Sequence, residues 1–175
     1  GPRESQVVKF QLKNTDQMKP GEYRSHIYFR SVTNVKPLGE IEEDKKANSI
    51  TVEWTPLYGI SIPVIIRKGD LNVDVSLSDL TYENLFDSIP IIKLDFNRIG
   101  SKSVYGNIRI KHISEEGVTS TVGKVDGFGI YTPGKKRKAR VLLEKGIDYT
   151  SGKLIVTYSA KRENKGGEFA RAELK

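Results

Sequence analysis

The sequence predicts an all-β protein, because its apolar residues alternate at the two-residue period of a strand and sustain no long 3.6-residue period of a helix. The run 59–69 shows this alternation most clearly, with one face made of Ile60, Ile62, Val64 and Ile66. Gly and Pro residues separate most of the other predicted strands. The 175 residues are enough for one large or two small domains.

The composition argues against several classes of protein. Hydrophobic residues make up 37% and charged residues 29%, which is ordinary for a globular domain, and no apolar run reaches the roughly 18 residues of a membrane-spanning helix. Cysteine is absent, so no disulfide framework or thiolate metal site is expected. The net charge of +7 is spread over both halves, which argues against a dedicated nucleic-acid-binding module.

The first domain is expected to span residues 1–68 and to contain few strands. Residues 4–12 predict a half-buried strand whose apolar face carries Val8, Phe10 and Leu12. Residues 22–32 predict a second strand with a polar and aromatic outer face. A long polar connection over residues 33–48 then leads towards the last strand of this domain.

That last strand contains the run 59–69 and follows an alternating apolar segment formed by Ile50, Val52 and Trp54. Pro63 cannot donate a backbone hydrogen bond, so the strand is expected to have a free flank there. So few strands would leave apolar faces and edges exposed. We therefore expect the first domain to be incomplete, with its remaining strands supplied by upstream sequence or by another chain.

The second domain is expected to span residues 69–162 and to be a β-sandwich of the immunoglobulin type. About seven short strands with frequent turn signals in about 95 residues are typical of that fold. The predicted strands include residues 71–77, 91–97, 105–113, 127–132, 139–143 and 153–160. Residues 80–88 predict one short helical turn, and residues 163–175 predict a polar, frayed tail.

Short motifs along residues 4–160 occur in a characteristic order: PGEYRSHIYF at 20–29, SIPVIIR at 61–67, LDF at 94–96, and the segments 100–106, 127–133 and 146–158. In strand order and motifs, the chain resembles the PapD-like periplasmic chaperones of bacterial pilus assembly. The resemblance implies two immunoglobulin-like sandwich domains, of which the first is incomplete in this chain.

The resemblance also implies a function and a location. It implies a non-enzymatic chaperone in the periplasm or cell envelope, which binds a secreted or fimbrial protein subunit by adding a strand at an exposed sheet edge. The partner would be a pilin-like or other β-rich subunit, with no role for nucleic acid. The candidate subunit-binding residues are Ile50, Val52, Trp54, Ile60, Ile62 and Val64.

Two alternatives remain at this point. The same side chains could instead fill the core of the first domain, with the missing strands of that domain as their partner. The whole chain could then be a structural or adhesive immunoglobulin-like module of the cell envelope without chaperone activity.

The resemblance implies one further contact, an ion pair between the two domains. Arg67 matches the arginine that ends the corresponding strand of the family, and Asp148 matches its acidic partner just before a tyrosine. The lysine with which the family anchors a subunit falls on Pro63 in this sequence. The usual capture of a subunit's terminal carboxylate by two basic side chains is therefore not implied.

No catalytic constellation is present in the sequence, so we expect neither an enzyme nor a cofactor or metal. His26 and His112 lie in different domains without a metal-binding spacing, and the glycines of residues 123–129 lack the ending of a phosphate-binding loop. The basic run 135–140 predicts a solvated loop before a strand, or alternatively a contact with an anionic polymer or lipid surface.

Overall fold

The computed structural model describes residues 4–32, 54, 56–160 and 167–175. Within them the regular structure is one 3₁₀ helix, Thr15–Gln17, and nine strands. The strands are β1 (Gly21–Arg30), β2 (Gly59–Lys68), β3 (Val73–Leu85), β4 (Ile89–Gly100), β5 (Val104–Ile113), β6 (Thr119–Ile130), β7 (Lys136–Leu142), β8 (Lys153–Ala160) and β9 (Glu168–Leu174). The all-β prediction is therefore confirmed.

The chain divides into two compact units. The first unit comprises Gly1–Glu22 together with Arg67–Lys175, and the second comprises Tyr23–Ile66. This division differs from the boundary expected near residue 68, because the first 22 residues group with the later strands. The end of the chain also belongs to the first unit, since β9 pairs with β8.

Strands β3 to β9 of the first unit form two sheets with antiparallel pairing. One sheet has three strands in the order β3-β4-β7, and the other has four in the order β6-β5-β8-β9. The ring of Phe96 on β4 lies 4.6 Å from that of Phe128 and 5.1 Å from that of Tyr158, both on the other sheet. The two sheets therefore pack face to face on one core.

The position of each strand in its sheet explains its sequence. Strand β4 is flanked on both sides, and its residues Pro90, Ile91 and Ile92 are buried in succession. Strand β7 lies at the edge of the same sheet, and only its inward residues Ala139 and Val141 are buried. Full burial of a large aliphatic side chain contributes roughly 1.5–3 kcal/mol, so the central strands hold most of the stabilising apolar contacts.

Tyr149 fixes the connection between β7 and β8. Its hydroxyl donates a hydrogen bond to the carbonyl of Glu144 at 2.8 Å, and its ring packs against those of Tyr82 and His112. Burial, together with the nearby charge of Glu144, raises the pKa of Tyr149 to about 12. The hydroxyl therefore stays protonated and available as a donor.

Three sequence-based expectations for these elements are wrong. Residues 4–12 form no strand, because no neighbouring strand in the described part of the chain covers them, and Val8, Phe10 and Leu12 are exposed. Residues 80–85 continue strand β3 instead of forming a helical turn. Residues 168–174 are not frayed but form β9, whose Phe169 packs against Tyr158.

The second unit contains most of β1 and β2, which pair in a two-stranded sheet, here called the β1–β2 sheet. The backbone N–H of Ser31 donates to the carbonyl of Tyr58 at 2.7 Å, so the end of β1 lies beside the start of β2. Gly59 lets the ring of Tyr28 lie against the backbone there, and a Cβ atom at this position would push that exposed ring aside. No helix in the described ranges has the length and apolar character needed to cross a membrane.

Candidate protein-binding surfaces

The β1–β2 sheet exposes the apolar side chains that the sequence marks as candidate binding residues. Ile60 is 67% exposed and Ile62 47% exposed, whereas Val64 is half-buried. Trp54, shortly before β2, is 88% exposed. Ile50 and Val52 lie outside the described residues, so their positions stay a prediction.

Strand β1 adds aromatic side chains to the same sheet. Tyr28 and Phe29 occupy adjacent positions, which point to opposite faces of a strand, and both are exposed. No further strand among the described residues pairs with β1 or β2. A two-stranded sheet is marginally stable by itself in water, so this sheet would gain stability from another strand or a second sheet packed against it.

A buried carboxylate organises a second cluster, which lies entirely within the first unit. This Glu22 cluster consists of Glu22, Arg67, Ser103 and Thr132. The Glu22 side chain is only 1% exposed, and its Oε1 accepts hydrogen bonds from Ser103 Oγ and, at 2.9 Å, from Thr132 Oγ1. Its Oε2 accepts from the Ser103 backbone N–H at 2.8 Å and from Arg67 Nε at 3.0 Å.

The electrostatics of the Glu22 cluster favour the charged carboxylate. Burial alone would raise the pKa of Glu22, but the hydrogen bonds from Ser103, Arg67 and Thr132 outweigh it and lower the pKa to about 2. Thr132 N–H also donates to Ser103 Oγ at 2.9 Å, which orients that hydroxyl. The cluster is thus an ionised connection between distant chain segments at neutral pH.

The structure gives Arg67 and Asp148 partners other than each other. Arg67 forms its ion pair with Glu22 and also donates to the carbonyl of Ser103 at 3.3 Å. Asp148 accepts hydrogen bonds from the backbone N–H and hydroxyl of Thr150, at 2.8 and 2.6 Å. Those bonds lower the pKa of Asp148. No hydrogen bond or ion pair between the described residues joins Arg67 to Asp148.

Three cationic side chains alternate along β7 and are here called the β7 basic row: Lys136, Lys138 and Arg140. The expectation of a loop over residues 135–140 is wrong, because β7 begins at Lys136. Lys136 Nζ lies 2.6 Å from Asp95 Oδ2 and 3.5 Å from Asp79 Oδ2. The hydrogen bond to Asp95 is the main cause that raises the pKa of Lys136.

Sequence reasoning missed the Glu22 cluster. It singled out Arg67, and the motif segments 20–29, 100–106 and 127–133 contain Glu22, Ser103 and Thr132. Nothing in those segments, however, marked the three side chains as partners of one another. These residues are separated by 81 and 110 positions from Glu22, so only the folded topology brings them together.

Comparisons with known proteins assign no family. No protein-family profile and no curated protein sequence matches this chain. Among solved structures, the chain is similar to DesR, a β-glucosidase from Streptomyces venezuelae whose crystal structure is in complex with D-glucose. The identity is 9%, the match covers 58% of this chain and 15% of that chain, and the TM-score is 0.39. A likeness of this extent assigns neither a fold nor an activity.

Proposed function

We propose that this chain is a non-enzymatic periplasmic chaperone, which binds secreted or fimbrial subunits by strand addition at the β1–β2 sheet. The observation that carries the proposal is the exposure of Ile60 and Ile62 on a sheet that has two strands within the described residues, together with the exposure of Trp54 shortly before β2 in the sequence. Ile60 and Ile62 are two positions apart on β2 and share one face, and exposed apolar surface of this kind can mark an interaction site. Strand addition would satisfy the backbone groups at the sheet edge and cover the apolar side chains in one step.

The proposal includes a finer description of the fold. We assign strands β3 to β9 to an immunoglobulin-like sandwich and the β1–β2 sheet to part of a second one. The division of β3 to β9 into sheets of three and four strands supports this assignment. The hydrogen bond from Tyr149, just before β8, to the carbonyl of Glu144 supports it further, because such a tyrosine corner recurs in these sandwiches.

A second candidate is a structural or adhesive module of the cell envelope without chaperone activity. The observation that favours it is the packing of the first unit, whose two sheets enclose a core built from residues of this chain. In that case the β1–β2 sheet would be completed by strands of the same protein and would bind no client.

The two candidates are separated by testing client capture. Purified pilin-type subunits that lack their last strand would be mixed with the full chain, and complex formation would be measured by size-exclusion chromatography. The test variant is Ile60→Asp/Ile62→Asp. The matched control is Ile99→Asp/Val118→Asp, which also replaces two exposed aliphatic side chains, but on the first unit.

We expect the wild type and the control to bind subunits and the test variant to bind none. Each fully buried aliphatic side chain contributes roughly 1.5–3 kcal/mol, and an unpaired carboxylate in an apolar groove is strongly unfavourable. Equal capture by both variants would remove the β1–β2 sheet as the binding site. A lack of capture by the wild type would favour the structural module.

A further inference from the structure

The first unit has a second surface suited to a protein partner, at the free edge of β7. We propose that this edge binds an acidic, extended segment of a partner protein, which adds as a fourth strand to the three-stranded sheet beside the β7 basic row. The proposal is independent of the β1–β2 sheet. It rests on strand geometry, on charge and on the way in which β7 is held.

The strand geometry provides a template. Among the described strands, β7 pairs with β4 on one flank and lies at the end of its sheet, so no described strand occupies its other flank. Backbone groups on such an edge can template an added strand. The β7 basic row occupies every second position, and alternate residues of a strand are about 6.6 Å apart on one face. An added strand with acidic residues at every second position would place a carboxylate opposite each cation.

Two cations on this face form no ion pair with any described residue. Lys136 is paired with Asp95 and Asp79, and on the neighbouring strand Lys93 Nζ lies 2.5 Å from Glu83 Oε1. Within the described residues, Lys138 and Arg140 form no ion pair. They lie across from Asp95 and Lys93 in the β4–β7 register, and they line a depression of about 600 Å³.

Side-chain contacts also anchor β7 to the opposite sheet. The guanidinium of Arg137 lies 4.2 Å from the centre of the Phe128 ring, and its Nη1 donates to the carbonyl of Gly129. Both partners belong to β6 in the opposite sheet. The edge is therefore positioned before a partner arrives, which reduces the entropy cost of binding.

Two other roles for the cations predict different behaviour. A polyphosphate or other polyanion would need the charges but not the free backbone flank. Alternatively, lysines on an edge strand can serve only to prevent self-association of exposed edges. A useful experiment must therefore vary the charge and the backbone donors of the ligand separately.

The probe is a ten-residue end-capped peptide of alternating Glu and Thr, titrated into the full isotope-labelled chain and followed by NMR. Its first analogue carries N-methyl groups on alternate residues, which keeps every charge but removes the backbone donors on one flank. Its second analogue replaces each Glu with Gln. Inorganic polyphosphate of similar charge is the fourth ligand.

The protein variants test the cations directly. Lys138→Gln/Arg140→Gln removes the two unpaired charges, and the matched control Lys111→Gln/Lys124→Gln removes two exposed charges from the other sheet. We expect about tenfold weaker binding of the acidic peptide by the first variant and unchanged binding by the control. Ile60→Asp/Ile62→Asp should bind the peptide like the wild type, so failure here is distinct from failure of the chaperone proposal.

We expect the acidic peptide to cause NMR chemical-shift changes centred on residues 136–142. The N-methylated peptide and the Gln peptide should not bind. If the N-methylated peptide and polyphosphate both bind as tightly as the unmodified acidic peptide, strand addition is overturned in favour of a purely electrostatic contact. An absence of peptide binding, combined with dimerisation of Lys138→Gln/Arg140→Gln, would overturn the proposal in favour of edge protection.

Discussion

Arg67 Nε donates to Glu22 Oε2 at 3.0 Å, although the two residues are 45 positions apart. Ser103 and Thr132 supply the remaining donors to this carboxylate. A buried carboxylate is costly unless its oxygens are fully hydrogen-bonded. The Glu22 cluster therefore makes the first unit depend on one ionised side chain, and this dependence has a measurable pH signature.

Stability should fall as the pH drops from about 4.5 towards 2, because Glu22 has a lower pKa in the folded chain than in the unfolded chain. As the pH falls, the unfolded state binds the proton first. The stabilisation from the ionised Glu22 is therefore fully present above pH 4.5 and is lost as the pH falls from there through the folded-state pKa. Lowering the pKa from 4.5 to about 2 corresponds to roughly 3 kcal/mol. Urea unfolding across this pH range measures the effect.

Glu22→Gln provides the control for that pH dependence. It keeps the shape of the side chain but removes the charge and turns an amide towards the donors. This variant should be less stable than wild type at pH 7 and should show a smaller loss of stability between pH 4.5 and 2. Parallel pH profiles for the two proteins would contradict the role given to Glu22.

Tyr149→Phe should lower the free energy of unfolding by about 1 kcal/mol, since it removes one hydrogen bond to the Glu144 carbonyl and keeps the ring. Tyr105→Phe is the matched control, because within the described residues the Tyr105 hydroxyl makes no hydrogen bond. Thermal or urea unfolding compares them. Equal destabilisation by both changes would argue against a specific role for the Tyr149 hydroxyl.

Gly152→Ala should be more destabilising than Gly146→Ala. Both glycines have a positive φ, +75° and +81°, so each alanine pays a backbone strain of about 1 kcal/mol. Only at Gly152 would the new Cβ also collide with a backbone atom, the carbonyl oxygen of Ile113. The unfolding free energies of the two variants separate backbone strain from the steric collision. Similar values would show that the loop at Gly152 moves away from the carbonyl of Ile113.

Trp54 reports on the proposed binding site, because it is the single tryptophan of the chain and is 88% exposed. Its fluorescence in the free protein should be readily quenched by iodide. Binding of a pilin-type subunit should protect it and shift its emission to shorter wavelength, since the indole would enter an apolar environment. Unchanged quenching in a complex verified by chromatography would place Trp54 outside the interface.

The strands of the first unit were largely predictable because their alternation reflects burial on one face. The predicted strand 153–160 coincides with β8, and the predicted strand 105–113 differs from β5 by one residue. Residues 4–12 carry the same alternation but lie in no sheet, because periodicity shows which face could be buried and not whether a covering surface exists.

The polar contacts could not be predicted in the same way. Arg67 was expected to pair with an acidic residue, but nothing local distinguishes Glu22 from Asp148 as its partner. The choice depends on which segments the topology brings within about 3 Å. The polar composition of residues 163–175 predicts a frayed tail, but residues 168–174 form β9. In that strand the half-buried Ala170, Ala172 and Leu174 alternate with exposed Arg171 and Glu173.

The pairing of β8 with β9 has a consequence for synthesis on the ribosome. Strand β8 becomes an inner strand only when residues 168–174 have left the exit tunnel and added to its flank. Until then the nascent chain presents an open β8 edge beside the ring of Tyr158, which Phe169 later covers. The four-stranded sheet is thus completed only after β9 has been translated, and before then the open β8 edge can be captured by another nascent strand.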